Sequence, residues 1–276
     1  MKNIAIDLGG TSVRVAVVEG SQILNIISEP CKSNGSDVEV IEHISSLLSQ
    51  LMQDDIDAIG IGVPAVVDVE KGIVYDVVAI PSWKEVHLKY ILEERFRLPV
   101  YINNDCNCFA VGVSKYGEAK GYDSAVCVTL GTGVGGSLII NGILYNGHNT
   151  GAGEIGSIPY LDKDYEYYCS SRFFLGKGTT GKEASIRASN KEQKFIDLWN
   201  EFGGHIGKLV ALIVFAYDPQ IIVFGGSIAK TFDFFKDSMY EQLKSFPYQK
   251  SLSRLKIISS EIENMGIIGA SAICEQ

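Results

Sequence analysis

The sequence predicts an α/β chain of two related lobes, each built on a mixed sheet, and three observations carry that prediction. Short strands joined by hairpin signals open the chain and recur in outline after Ser124. Leu8-Gly9-Gly10-Thr11 and Leu130-Gly131-Thr132-Gly133 occupy the same place in the two halves, which reads as an internal duplication. A length of 276 residues, against roughly 150 per domain, suggests two lobes that would face each other.

Apolar runs at Asn3 to Leu8, Val13 to Val18 and Gln22 to Ile27 are separated by Gly9-Gly10 and Glu19-Gly20-Ser21, the pattern of a β-meander. From Asp37, the positions Val38, Ile41, Ile44, Leu47, Leu48, Leu51 and Met52 follow the helical period, and Ala58 to Val63 reads as a buried strand. Pro99 to Asn103 is another strand, after which Asn104-Asp105 supplies capping chemistry for a helix from Cys106 to Tyr116. The second half repeats the opening with a strand from Ala125 to Leu130, a glycine turn from Gly131 to Gly136, a returning strand from Ser137 to Ile140 and a hairpin at Asn141-Gly142. A long helix from about Lys191 to Ala216 follows, then a strand from Gln220 to Phe224 ending in Gly225-Gly226. A helix near Thr231 to Phe246, a strand around Leu255 to Ser260 and a helix from Gly266 to Cys274 complete the chain. No linker separates the halves, which leaves a soft boundary near residue 105. The smaller lobe is then 1–105, joined by the C-terminal helix 262–276, and the larger lobe is 106–261.

Composition narrows the function. The chain is 46% hydrophobic and 21% charged, and no stretch reaches the about 20 apolar residues that span a bilayer. Twenty-four basic against thirty-three acidic residues give a net charge of -9, the wrong sign for neutralising phosphates of nucleic acid, so a small-molecule partner is expected. The first twenty residues are broken by Asp7 and Arg14 and do not read as a secretory signal, so a cytoplasmic protein is expected. Cys31, Cys106, Cys108, Cys127, Cys169 and Cys274 form neither a disulfide framework nor a paired zinc site and are expected to be reduced and buried.

Three glycine turns each follow a strand: Gly9-Gly10-Thr11, Gly131-Thr132-Gly133 and Gly225-Gly226. Glycine lets backbone N–H groups converge on an anion, and threonine adds a hydroxyl donor, so three such turns point to a nucleotide's phosphates. Gly131, Gly133 and Gly136 also spell G-x-G-x-x-G, but a returning strand follows where a dinucleotide site needs a helix. There is no P-loop. A phosphotransferase still needs a cation holder and a base. Asp7 is placed to hold magnesium, directly or through water, with turn capping as the alternative. Arg14 would contact phosphate or pair on the surface. Asp105 either projects into a cleft or caps its helix, and Glu154, flanked by glycines, suits sugar hydroxyls or is a solvated loop residue.

These residues resemble the ROK sugar kinases, named for repressor, open reading frame and kinase, within the actin, Hsp70 and hexokinase superfamily. Asp7-Leu8-Gly9-Gly10-Thr11-Ser12-Val13-Arg14 is similar to the family's D-x-G-G-T-x-x-R phosphate loop, and Thr129 to Gly136 to its second. Val223-Phe224-Gly225-Gly226-Ser227 resembles the adenosine-side motif, Gly62 to Asp68 the G-x-P-G-x-V-D segment, and Asn103-Asn104-Asp105 the stretch carrying the catalytic aspartate. The resemblance implies a two-lobed ribonuclease H-like, actin-like ATPase fold with a duplicated mixed-sheet core. It also implies ATP and Mg2+ as cofactors, Asp105 as the general base, and Asn104, Glu154 and the residue at Ser157 as sugar contacts. A homodimer is the family's habit.

The departures are specific. Gly153-Glu154-Ile155-Gly156-Ser157 stands where the family usually has G-E-x-G-H, so the histidine that commonly binds sugar and structural zinc is a serine. The cysteine cluster that follows is reduced to Cys169, so zinc is not expected. A sugar-contacting glutamate falls near Gly176, and an asparagine common before Pro-x-Trp is Ala79. Family repressors carry a helix-turn-helix ahead of this core, whereas here the first loop begins at Asp7, which favours a kinase. The expectation is transfer of the γ-phosphoryl of ATP to a hexose, most simply the 6-hydroxyl of glucose or a relative. An N-acetylhexosamine, fructose or allose kinase, or a non-catalytic sensor of the same fold, is the alternative.

Overall fold

The structure is a computed structural model that describes residues 1–148 and 151–275. Its contacts divide the chain into two units, Met1–Lys120 with Leu144–Ala152 and Ile262–Gln276, and Gly121–Ile143 with Gly153–Glu261. Gln276, the last residue of the expected C-terminal helix, lies outside the described residues.

In the first unit the meander forms as β1 (Lys2–Leu8), β2 (Ser12–Glu19) and β3 (Gln22–Pro30), all antiparallel. Helix α1 (Asp37–Leu51) starts on a capping box, in which the Ser36 side chain accepts from Glu39 N and Glu39 reaches back to Ser36 N. Val38, expected on the apolar face, is exposed. Strand β4 (Ala58–Val63) runs parallel to β1 and is buried throughout. A small antiparallel sheet of β5 (Val66–Asp68), β6 (Ile73–Tyr75) and β7 (Glu85–Val86) follows, then α2 (Leu88–Phe96), β8 (Val100–Asn104) parallel to β4, and α3 (Asp105–Tyr116).

The second unit opens with β9 (Ser124–Leu130), β10 (Val134–Ile140) and β11 (Ile143–Leu144). Asn141 and Gly142 both take positive φ, the conformation a two-residue hairpin requires. The hairpin β12 (Pro159–Tyr160) and β13 (Lys163–Asp164) leads to α4 (Tyr165–Cys169), α5 (Ser171–Gly176), α6 (Gly181–Ser189) and the long α7 (Gln193–Tyr217). Strand β14 (Ile221–Gly225) runs parallel to β9, and α8 (Phe232–Leu243) and α9 (Gln249–Leu252) precede β15 (Lys256–Ser259). Helix α10 (Met265–Ala272) returns to the first unit.

The sheet orders are β3-β2-β1-β4-β8 and β11-β10-β9-β14-β15. Each element has its counterpart in the same place, so the duplication read from two glycine turns extends to the whole sheet. Each unit encloses its own apolar core. Among the described residues no helix is long and apolar enough to cross a membrane.

Two expectations are corrected. The glycine turn after β9 is shorter than 131–136, because Val134, Gly135 and Gly136 already pair with Leu130, Thr129 and Val128. The boundary at residue 105 does not match the units, because α3 packs with α10 at backbone contact. A Cβ on Gly112 would stand 2.7 Å from the Met265 carbonyl oxygen, and one on Gly269 would collide with that of Cys108.

Gly269→Ala should therefore cost ~1–3 kcal/mol by overpacking. Gly204→Ala, in an open stretch of α7 with nothing within 4 Å of a new Cβ, should instead stabilise by up to ~1 kcal/mol. Urea-unfolding midpoints of the two variants shifting in the same direction would refute this account.

Candidate functional site

Three parallel strands of the first unit place its candidate residues. Register pairs Asp7 of β1 with Gly62 of β4, and Gly62 with Asn103 of β8, so the three stand in one row at the strands' carboxyl ends. That end of an open α/β sheet is where ligands bind. Gly62 has no side chain to hold the next helix away: a Cβ there would lie 3.2 Å from Cys108 Sγ and 3.5 Å from Asp105 Cα. Burial pushes the Cys108 thiol well above the usual range, and the charges of Asp105 and Asp7 add to it, so both carboxylates share this neighbourhood.

The cap is mainly Asn104's work. Its Oδ1 accepts from Cys106 N (2.9 Å) and Asn107 N (3.4 Å), while its Nδ2 donates to the Ala65 carbonyl (3.2 Å). Asp105 is the first helical residue, half-buried, with Oδ1 accepting from Cys106 N at 2.8 Å. Asn104, expected to meet sugar, thus has its side-chain amide engaged in ordering the start of α3.

At the first turn, Gly9 N donates to Ser12 O (2.8 Å). Neither Gly9 nor Gly10 adopts positive φ. Gly10 is required for close approach, because a Cβ would stand 2.6 Å from Ala79 Cβ. Thr11 is exposed at the tip. Arg14 forms an ion pair with Asp7. It sits opposite Asp7 in the β1–β2 ladder, donates to Asp7 Oδ2 through Nε (3.1 Å) and Nη2, and donates to Asn264 Oδ1 through Nη1 (2.9 Å).

The second unit holds its turn more elaborately. Gly131 N donates to Gly133 O (3.0 Å), and Ser171 N, at the start of α5, donates to Gly131 O (2.9 Å). Val134 N donates to Glu166 Oε2 (3.4 Å), and a Cβ on Gly133 would collide with that carboxylate. Arg172 pairs with the other oxygen of Glu166 at 2.8 Å. Thr132 is exposed. Gly225 ends β14, and Gly226, at φ +89, lies against the Leu130 backbone, so the third turn abuts the second. Glu154 has an exposed surface, yet surrounding protein atoms and the Glu166 carboxylate push its carboxyl above the ordinary range. Ser157 is exposed in the short 3-10 helix that follows.

In the stretch that the resemblance makes a zinc loop, Cys169 is fully buried and its thiol is pushed well up by burial. Rings fill the space: Tyr160 stacks on Tyr165 with centroids 4.3 Å apart, and its hydroxyl lies 3.2 Å from His205 Nδ1. Among the described residues no group of three or more His, Cys, Asp or Glu is placed to hold a metal ion. Sequence reasoning missed Glu166, Arg172, Asn107 and Asn146. The first two read as ordinary solvated charges, and only the glycine they serve hinted at them.

The whole chain from residue 3 to 276 matches the model of the ROK family. The chain belongs to the ROK family. It is 24% identical over 311 residues to a glucokinase of Thermotoga maritima, covering 100% of this chain and 98% of that one. It is 33% identical over 248 residues to a beta-glucoside kinase of Listeria innocua, covering 83% of each. Its structure is similar to a ROK family glucokinase from Streptomyces griseus in complex with glucose and AMPPNP, with TM-score 0.84 and 24% identity over 98% of each chain. The fold is the actin-like ATPase fold, as the resemblance implied.

A carboxyl held above its unfolded value makes the folded state bind more protons, so its contribution to stability falls as pH rises through that range. Glu154→Gln should accordingly raise the urea midpoint at about pH 7 while changing little near about pH 3, below both values. In carboxyl NMR titrations, Glu166→Gln should move Glu154 downward. An unmoved Glu154 would show that Glu166 does not act on it.

Proposed function

We propose that this chain is a sugar kinase that transfers the γ-phosphoryl group of ATP to a hexose, most simply to the 6-hydroxyl of glucose or a close relative. The observation that carries the reading is the row Asp7, Gly62 and Asn103, which brings Asp105 to the same strand ends as the first glycine turn. Membership of the ROK family and the kinases among its relatives support it.

The residues suit ATP and magnesium by their donor chemistry. Each unit carries a glycine turn with an exposed threonine directly after a β-strand, and the reading takes both turns as phosphate holders. Asp7 lies beside the first turn with Arg14 on Oδ2, which leaves Oδ1 as the oxygen to meet magnesium or its water. Bound Mg-ATP supplies the phosphoryl group. Asp105 accepts the proton of the attacking sugar hydroxyl, and the N-terminus of α3 steadies its charge. Glu154 orients the sugar by accepting from its hydroxyls. Gly225 and Gly226 line the adenosine side.

A second reading within the same chemistry is a β-glucoside acceptor. It is favoured by the beta-glucoside kinase relative, and by Ser157 and Gly176, small residues where the family resemblance places histidine and glutamate. A third, from another class, is a sugar-responsive regulator without turnover, since the ROK family includes repressors.

ADP release measured across glucose, mannose, fructose, N-acetylhexosamines and β-glucosides separates these. Turnover with glucose supports the first reading and turnover with β-glucosides alone the second, whereas sugar binding without turnover supports the regulator. Asp105→Asn should lower kcat by about 10²–10⁴-fold with nucleotide affinity retained. Undiminished phosphorylation by that variant would remove Asp105 from the base role.

A further inference from the structure

Beneath the start of α3 lies a chain of amides that the proposed reaction does not use. Asn103 is 3% exposed and Asn107 8%. Buried amides are kept only where their donors and acceptors find partners. Asn103 Oδ1 accepts two hydrogen bonds, from Asn104 N and from Asn107 Nδ2, both at 2.8 Å. Its Nδ2 donates to Asn146 Oδ1 at 3.0 Å. The amide has one workable orientation, because turning it over would set its donor against the Asn104 backbone N–H, which can only donate.

These bonds bracket Asp105. Asn103 grips the backbone of the residue before it and the side chain of Asn107 within the first turn after it. The Nδ2 of Asn103 is in turn satisfied by Asn146. Asn146 belongs to the first unit, although residues 121–143 before it and 153–261 after it belong to the second.

We propose that Asn103, Asn107 and Asn146 are positioning residues that set the first turn of α3 and thereby aim the Asp105 carboxylate, with the Asn146 carbonyl as the last acceptor of the chain. This rests on the reading of Asp105 as the base. A carboxylate at the first helical position turns with its helix, so a loose first turn spreads its aim without removing it. A misplacement on the order of 1 Å costs roughly 10²-fold in rate.

The test compares Asn146→Leu, of similar size but without an acceptor, with Asn146→Asp, which keeps one, both in the full chain. Asn146→Leu should lower kcat, normalised to ATP-analogue binding sites, by about ten- to hundredfold with the ATP KM within about twofold. Asn146→Asp should recover most of that loss. Hydrogen exchange at the Cys106 and Asn107 amides, read without substrate, should be at least about tenfold faster in the leucine variant. Equal kcat in the leucine variant and the parent, equal loss in both variants, or unchanged exchange overturns the proposal. If Asn146→Leu does not fold, Asn146→Ala replaces it under the same criteria. Undiminished turnover by Asp105→Asn would instead overturn the base assignment, which the exchange measurement does not touch.

Discussion

The parallel register of β1, β4 and β8 is the constraint from which the first unit's candidate site follows. A strand pairing fixes which residues stand side by side, and a slip of one residue would turn every side chain to the other face. Here the register sets Asp7, Gly62 and Asn103 abreast. Because the middle residue has no side chain, α3 comes in directly over it, and Asp105 arrives where the first glycine turn already lies. The turn itself is closed by the β1–β2 hairpin, and the pairing of β4 decides whether Asp105 arrives beside it.

The same economy of side chains recurs where backbones meet. Gly10 makes room for Ala79, Gly133 for Glu166, and Gly226 for the Leu130 backbone. Of these, only Gly226 has a positive φ. These three glycines serve as clearances, and the elements they admit come from distant parts of the chain. This also explains the early start of β10. Gly135 and Gly136 are ladder residues, and Gly136 is glycine because Gly153 O and Ile155 crowd it, with a Cβ clearance of 2.6 Å and 2.7 Å.

What was legible in the sequence follows from this. The meander, α1, β4, α3 and α7 announce themselves by local period, caps and turn residues, which need no knowledge of the rest of the chain. The small sheet of β5 to β7 has strands of two or three residues, too short for a period. Helix α2 has His87 at its N-cap, with no side-chain cap bond. Around the site, the glycine turns and Asp105 were readable as motifs. The partners of those motifs were not, since Glu166, Arg172 and Asn146 acquire meaning only through contacts made after folding. Arg14 and Asn104 likewise have partners that their motifs do not announce: strand register gives one an ion pair with Asp7, and helix start makes the other a cap.

Helix α10 lies against β4 and α3, where a Cβ on Gly60 would collide with the Ala270 carbonyl. It comes after the entire second unit in the chain. During synthesis on the ribosome, the sheet that begins at the amino end must therefore wait, one face bare, while the other unit is made and can close its own core. The half that starts first is the half that finishes last.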